Sequence, residues 1–207
     1  MRTETRSRSL LAVCKGKSAL AAFCQAAIVL ALWAPLTFVE RRAAAQTAHP
    51  SQDDVEAAYL YNFGKFVRWP ADEQHQPLEI CVLGKDPFGP TLDHVVANEL
   101  IDGRGLVVLR LSPTDPIQSC SVLFISSSEA PRLEQELSSL AALPIMTVSD
   151  MPGFVDHGGI VQFLLNDGRV RFEVNLNAAS KSGLVLSSQL LKVAVHVVGN
   201  PPEKVAR

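Results

Sequence analysis

The chain has 207 residues, 47% of them hydrophobic and 19% charged, with a formal net charge of −2. Seven of the 19 Lys and Arg but only two of the 21 Asp and Glu lie in the first 45 residues, so residues 46–207 carry a net charge of −7. That balance argues against a nucleic-acid or anionic-membrane surface, where basic patches supply the affinity, and 162 residues suit one domain with a sizeable core.

The chain opens with Arg2, Arg6, Arg8, Lys15 and Lys17 against Glu4 alone. An apolar run from Ala19 to Val39 follows, interrupted by Gln25 and Pro35, and then Ala43-Ala44-Ala45-Gln46. A basic start, an apolar core and a small-residue exit make a secretory signal peptide over 1–45, cut between Ala45 and Gln46. The run is about long enough to span a bilayer, so an uncleaved anchor is the alternative. Pro35 and the alanine-rich exit favour cleavage, and Phe23 before Cys24 argues against a lipoprotein. Either way, the basic residues hold the N-terminus inside and the remainder is exported.

Residues 46–52 read as a short polar tether, 53–200 as a single α/β domain and 201–207 as a tail. Asp53 or Asp54 can cap a helix over Val55–Trp69, stopped by Pro70. On a helical wheel Val55, Ala58, Tyr59, Asn62, Phe63, Phe66 and Trp69 share a broad face, with Leu60 and Val67 widening the arc. Tyr61, Gly64, Lys65 and Arg68 remain as a narrow polar strip, so the helix should be packed on two sides. Strands are expected at 78–84, 105–111, 121–125 and 145–148, with helices over 88–97 and 131–143, the latter capped within Ser126-Ser127-Ser128.

Strands alternating with helices predict a largely parallel sheet with flanking helices. Near the end, 160–165 and 169–175 flank Asn166-Asp167-Gly168, a hairpin signal, with Val170, Phe172 and Val174 on the dry face. Ala178–Val198 is read as a final helix from Leu184, Ser187, Leu191, Ala194 and Val198, although Val193, Val195 and Val197 would suit a strand.

Beyond the leader only Cys81 and Cys120 remain. Two cysteines in an oxidising compartment suggest one disulfide, two buried thiols being the alternative. The layout allows the bridge, because corresponding ends of neighbouring parallel strands lie together.

No catalytic constellation emerges. Gly84–Gly89 follows a strand, but Pro90-Thr91 stand where a phosphate loop requires Lys-Ser/Thr. There is no G-x-S-x-G elbow, and His94, His157 and His196 lack metal-ligand spacing. Asp156-His157 lies in a glycine-rich loop, and Glu134 and Glu136 belong to a solvated helix face. These residues point to no enzyme, no cofactor and no metal, which leaves binding. Tyr61, Lys65 and Arg68, with Trp69 at the helix exit, combine aromatic and cationic groups typical of interface anchors. A solvated strip beside a core tryptophan is the structural alternative.

Four strings, AAYLYNFGKFVRWP (57–70), ICVLGKDPFG (80–89), MPGFVDHGGIVQFLLNDGRVRFEVNLNAA (151–179) and GLVLSSQLLKVA (183–194), resemble the YfiR family of periplasmic regulators. The resemblance implies a non-enzymatic periplasmic α/β domain with the Cys81/Cys120 pair where a family disulfide would fall. It implies repression of an inner-membrane diguanylate cyclase through its periplasmic sensor part, and so control of cyclic-di-GMP and biofilm formation. An OmpA-like outer-membrane lipoprotein that sequesters the repressor, and a homodimer, are further partners the family implies. Some members carry a second cysteine pair that this chain lacks beyond its leader. A periplasmic small-molecule-binding sensor module is the competing reading, since α/β domains offer a cleft at strand ends.

Overall fold

The computed structural model describes residues 50–70 and 77–199. The leader, its cleavage site, most of the tether and the tail lie outside the described residues. The first helix, α1, runs Gln52–Phe66 and starts earlier than Asp53 or Asp54 as caps would allow. Ser51 is the cap: its Oγ accepts from the Asp54 N–H at 3.1 Å, and Asp54 Oδ2 accepts from the Ser51 N–H at 2.9 Å. Asp54 thus closes a reciprocal capping box from the third helical position.

The helix also stops short of Trp69. Pro70 disfavours helical geometry in the residue before it, and Val67–Arg68 instead form β1. This short strand pairs antiparallel with β9, Val185–Leu186, in a two-stranded ribbon.

The main sheet is built from β2 (Leu78–Leu83), β3 (Leu100–Ile101), β4 (Arg104–Leu111), β5 (Val122–Ile125), β6 (Met146–Ser149), β7 (Val161–Asn166), β8 (Arg169–Asn175) and β10 (His196–Val198). Their order across the sheet is β10-β8-β7-β6-β5-β2-β4-β3. Neighbours from β4 to β7 are parallel, whereas β3 and β8 run antiparallel to β4 and β7. The largely parallel α/β sheet read from the sequence is therefore present.

The hairpin is also present. Asp167 and Gly168 form its two-residue loop with φ of 50° and 69°, the left-handed pair that a type I′ turn requires. A second Asp-Gly turn, Asp102-Gly103, joins β3 to β4 with φ of 52° and 78°.

One sheet face is covered by α1, α2 (Pro90–Val96), α4 (Leu176–Lys181) and α5 (Ser188–Val193). The opposite face packs against a 3-10 turn over Ser127–Arg132, α3 (Leu133–Leu140), and Met151 and Phe154 of a loop. The largely apolar runs of β2 and β5 follow from burial on both faces; β6 is buried throughout too, with its Thr147 and Ser149 hydroxyls hydrogen-bonded. On the first face, Tyr59, Phe63, Phe163 and Phe172 cluster with ring centroids 5.2 to 5.9 Å apart.

Three further expectations change. Tyr61 and Gly64 are buried and do not form an exposed strip; a Cβ on Gly64 would press on Ile101, so the absent side chain permits close packing. The helix over 131–143 is a 3-10 turn running into a shorter α3, with Ser126 as cap. The segment 178–198 is not one helix. It divides into the end of α4, β9, α5 and β10, because the ribbon with β1 and the parallel pairing with β8 satisfy its backbone separately.

Cys81 and Cys120 form a disulfide with their Cα atoms 5.9 Å apart. Cys81 lies in β2 and Cys120 just before neighbouring β5, both buried on the α3 face.

Candidate functional site

The strand order β4-β2-β5-β6 reverses direction between β2 and β5. In open parallel sheets, ligands commonly sit beyond the carboxyl ends of strands at such a reversal. Here that crevice is filled. The Lys85 N–H donates to Ser128 Oγ at 3.0 Å, and Ser128 Oγ donates to Glu129. Glu129 is buried and paired with Arg132. Gly84, at φ of 85°, lies so close that a Cβ would overlap Ser128 and Glu129. A buried carboxylate in this position disfavours phosphate, in keeping with the missing Lys-Ser/Thr after Gly89.

A more open site forms where α1 gives way to β1. Lys65, Phe66, Val67, Arg68 and Trp69 line one wall of a groove of about 460 Å³; Asp102 and Arg104 of the β3–β4 turn, with Val185 and Ser187 of β9 and its exit, complete it. The ribbon sets the walls together: Arg68 pairs with Val185, and the Ser187 N–H donates to the Phe66 carbonyl at 2.8 Å.

Three of the four sequence-selected residues meet in this groove. Lys65 and Arg68 are exposed. Trp69 is buried at 5% exposure, and its Nε1–H finds no acceptor among the described residues. Such an unsatisfied donor is costly unless a bound group or water answers it. The Arg104 guanidinium stands 5.8 Å from the Trp69 ring centre, a cation–π arrangement.

Tyr61 is set apart from the groove lining. Its hydroxyl donates to Glu99, and its ring lies 3.9 Å below Lys65 Nζ. Tyr61 thus packs beneath Lys65 and does not line the groove. Sequence reasoning did not select Arg104, Asp102, Val185 or Ser187. The Asp102-Gly103 dipeptide, a hairpin signal like Asp167-Gly168, could have drawn attention to the first two; nothing local marks the others.

The groove can attract a negatively charged partner. Among the described residues that line it are three cations, Lys65, Arg68 and Arg104, and the carboxylate of Asp102, on a domain that is otherwise acidic. Such a patch steers association by charge while the tryptophan supplies contact area. Among the described residues, no group of three or more His, Cys, Asp or Glu is placed to hold a metal ion. His157 Nδ1 lies 2.8 Å from the Gly153 carbonyl, so the Asp156-His157 pair is part of a loop. No helix among the described residues is long and apolar enough to cross a membrane.

Comparison with solved structures finds a likeness to the crystal structure of a conserved domain protein from Vibrio cholerae O1 biovar El Tor str. N16961. The identity is 13% and the TM-score 0.48, over 71% of this chain and 60% of the Vibrio chain. Comparison with protein families matches residues 53–195, from the first turn of α1 to the residue before β10, to the family described as YfiR/HmsC-like. With that match spanning most of its length, the chain belongs to the YfiR/HmsC-like family.

Proposed function

We propose that this chain is a periplasmic, non-enzymatic regulator in cyclic-di-GMP signalling, which represses an inner-membrane diguanylate cyclase by binding its periplasmic sensor domain. The family membership supports the signalling role, and the observation that carries the contact is the basic groove around Trp69. Lys65, Arg68 and Arg104 engage acidic side chains of the sensor, and the ribbon β1–β9 holds Arg68 in register with Val185. Binding one sensor conformation more tightly than the other shifts its population toward the inactive state. An OmpA-like lipoprotein that competes for the repressor would relieve the block.

Deleting the gene should raise cellular cyclic-di-GMP, and complementation with the full chain should restore it. The double variant Arg68→Glu/Arg104→Glu should reach the periplasm folded yet fail to restore repression, since losing two interface arginines weakens binding by about tenfold or more. An unchanged cyclic-di-GMP level in the deletion strain refutes the role. Full repression by the double variant refutes the contact surface.

A small-molecule sensor is the second reading, favoured by the unanswered Trp69 Nε1–H in the same groove. It requires an anionic compound that raises the melting temperature of the wild-type chain but not of the double variant.

A further inference from the structure

Carboxylates crowd the start of α1. Asp53, Asp54 and Glu56 lie in its first turns, and Asp150, directly after β6, repels Glu56 from across the sheet edge. Asp54 is well supported: it closes the capping box with Ser51, and Thr91 Oγ1 of α2 donates to its Oδ1 at 3.1 Å. The Ser51 bonds, and then the Thr91 bond, hold its carboxyl below the ordinary aspartate range. Asp53 is exposed to water. Glu56 and Asp150 lack comparable support. Glu56 is buried with Gln52 as its hydrogen-bond donor, and Asp150 Oδ1 is buried with no donor among the described residues.

No described cation offsets this pair. On α2, Asp93 is bound by Arg110, and His94 is exposed and forms no ion pair; the same holds for Lys192 of α5. The charged residues of the strands beneath α1 alternate with core side chains. Glu79 lies between Leu78 and Ile80, and Arg169, Arg171 and Glu173 alternate with Val170, Phe172 and Val174, so all four point to the opposite sheet face. Two desolvated carboxyls without a cation do not both stay ionised, and one keeps a proton. Burial raises Glu56 to about 7 against the Gln52 hydrogen bond, and Asp150 and Asp53 add to the rise. Burial, and then Asp53, raise Asp150 as well.

We propose that Glu56 and Asp150 form a proton-operated latch on the first turn of α1: protonated, Glu56 keeps the turn packed on the sheet, and ionised, it turns to water and the segment from Ser51 to Ala57 opens. The released proton passes to solvent, and the carboxylate gains the hydration that the closed turn denies it. The opening stays local because the rest of the helix is anchored elsewhere. Phe63 packs on Tyr59, Phe163 and Phe172, and the Phe66 carbonyl accepts from the Ser187 N–H. Asp54 is not the switch, since its lowered range leaves it ionised on both sides of neutrality. An exported domain meets the pH of the medium, so the latch makes the entry to α1 responsive to it. That physiological role rests on the periplasmic location proposed above; the latch itself does not.

The test is amide hydrogen exchange by NMR on the exported chain from pH 4 to pH 8, expressed as protection factors so that the intrinsic pH dependence of exchange cancels. The amides of Val55, Glu56 and Ala57 should lose protection as pH rises from the ordinary glutamate range to about 7, and level off above it. The displacement from 4.5 to about 7 sets a ceiling of about 300-fold on that loss, and about tenfold or more is expected. Glu56→Gln should keep the protection flat. Asp150→Asn should shrink the loss, because a neutral neighbour lowers the Glu56 range. Leu123 and Phe124 in central β5 report opening of the whole domain and should stay better protected at every pH.

Constant protection of Val55, Glu56 and Ala57 in the wild type, or an equal loss in Glu56→Gln, overturns the proposal. An Asp150→Asn profile identical to the wild type overturns the pairing. A first turn as well protected as Leu123 and Phe124 at every pH also overturns the latch, because the turn then opens only with the whole domain.

Discussion

Replacing Glu56 with glutamine should remove a pH dependence from the stability of the domain. Glu56 lies one turn into α1, yet only 2% of it is exposed. Its Oε1 accepts from Gln52 Nε2 at 2.9 Å. Burial pushes the carboxyl up to about 7, repulsion from Asp150 and Asp53 adds to this, and the Gln52 hydrogen bond opposes it. Asp150 is raised too, by its own burial and then by Asp53.

A carboxyl raised on folding favours the protonated folded state. Its contribution is fully present below the ordinary glutamate range and is lost as pH rises through about 7. The upward displacement from 4.5 corresponds to a ceiling of about 3 kcal/mol. Solvent near the first turn reduces this to roughly 2 kcal/mol.

Glutamine copies the neutral carboxyl and can still accept from Gln52. Glu56→Gln should therefore match the wild type at pH 4 and exceed it at pH 8 by about 2 kcal/mol, or roughly 4–8 °C in melting temperature. Denaturant and thermal unfolding of both proteins from pH 4 to pH 8 provide the assay. Parallel profiles, or a variant less stable than wild type at pH 8, would show that burial does not hold the Glu56 carboxyl protonated.

Two further perturbations test the core. Replacing Cys81 and Cys120 with alanine opens a covalent loop of sequence separation 39, and should cost up to about 4 kcal/mol on the chain-entropy account. A denaturant midpoint indistinguishable from that of the oxidised wild type would contradict it. Phe63→Ala removes the side chain that touches Tyr59, Phe163 and Phe172 at once, and should cost about 3–5 kcal/mol in equilibrium unfolding. A loss below about 1 kcal/mol would show that α1 is not clamped by that ring cluster.

Much of the architecture could be read locally. The apolar runs at 78–83 and 122–125 betray strands buried on both faces, and Asn166-Asp167-Gly168 marks a turn that few other residues could make. Neighbouring parallel strands permit a bridge between Cys81 and Cys120 without excluding two buried thiols, and the structure forms it, from Cys81 within β2 to Cys120 just before β5. The site was only partly legible. Lys65, Arg68 and Trp69 are near neighbours along the expected helix, yet they converge because the chain leaves that helix at Val67 and pairs with Val185 and Leu186.

Local signals determined where strands, turns and the cysteine pair fall, because periodicity and backbone preference act within a few residues. They could not determine that Glu56 would be buried, that Tyr61 would turn inward to Glu99, or that 178–198 would divide into four short pieces. Those outcomes depend on partners up to a hundred residues or more away. Only the tertiary structure decided which polar groups lose water and which cations share a groove. Desolvation, ladder pairing and charge proximity are set by contacts between distant segments, and a sequence read in short windows does not contain them.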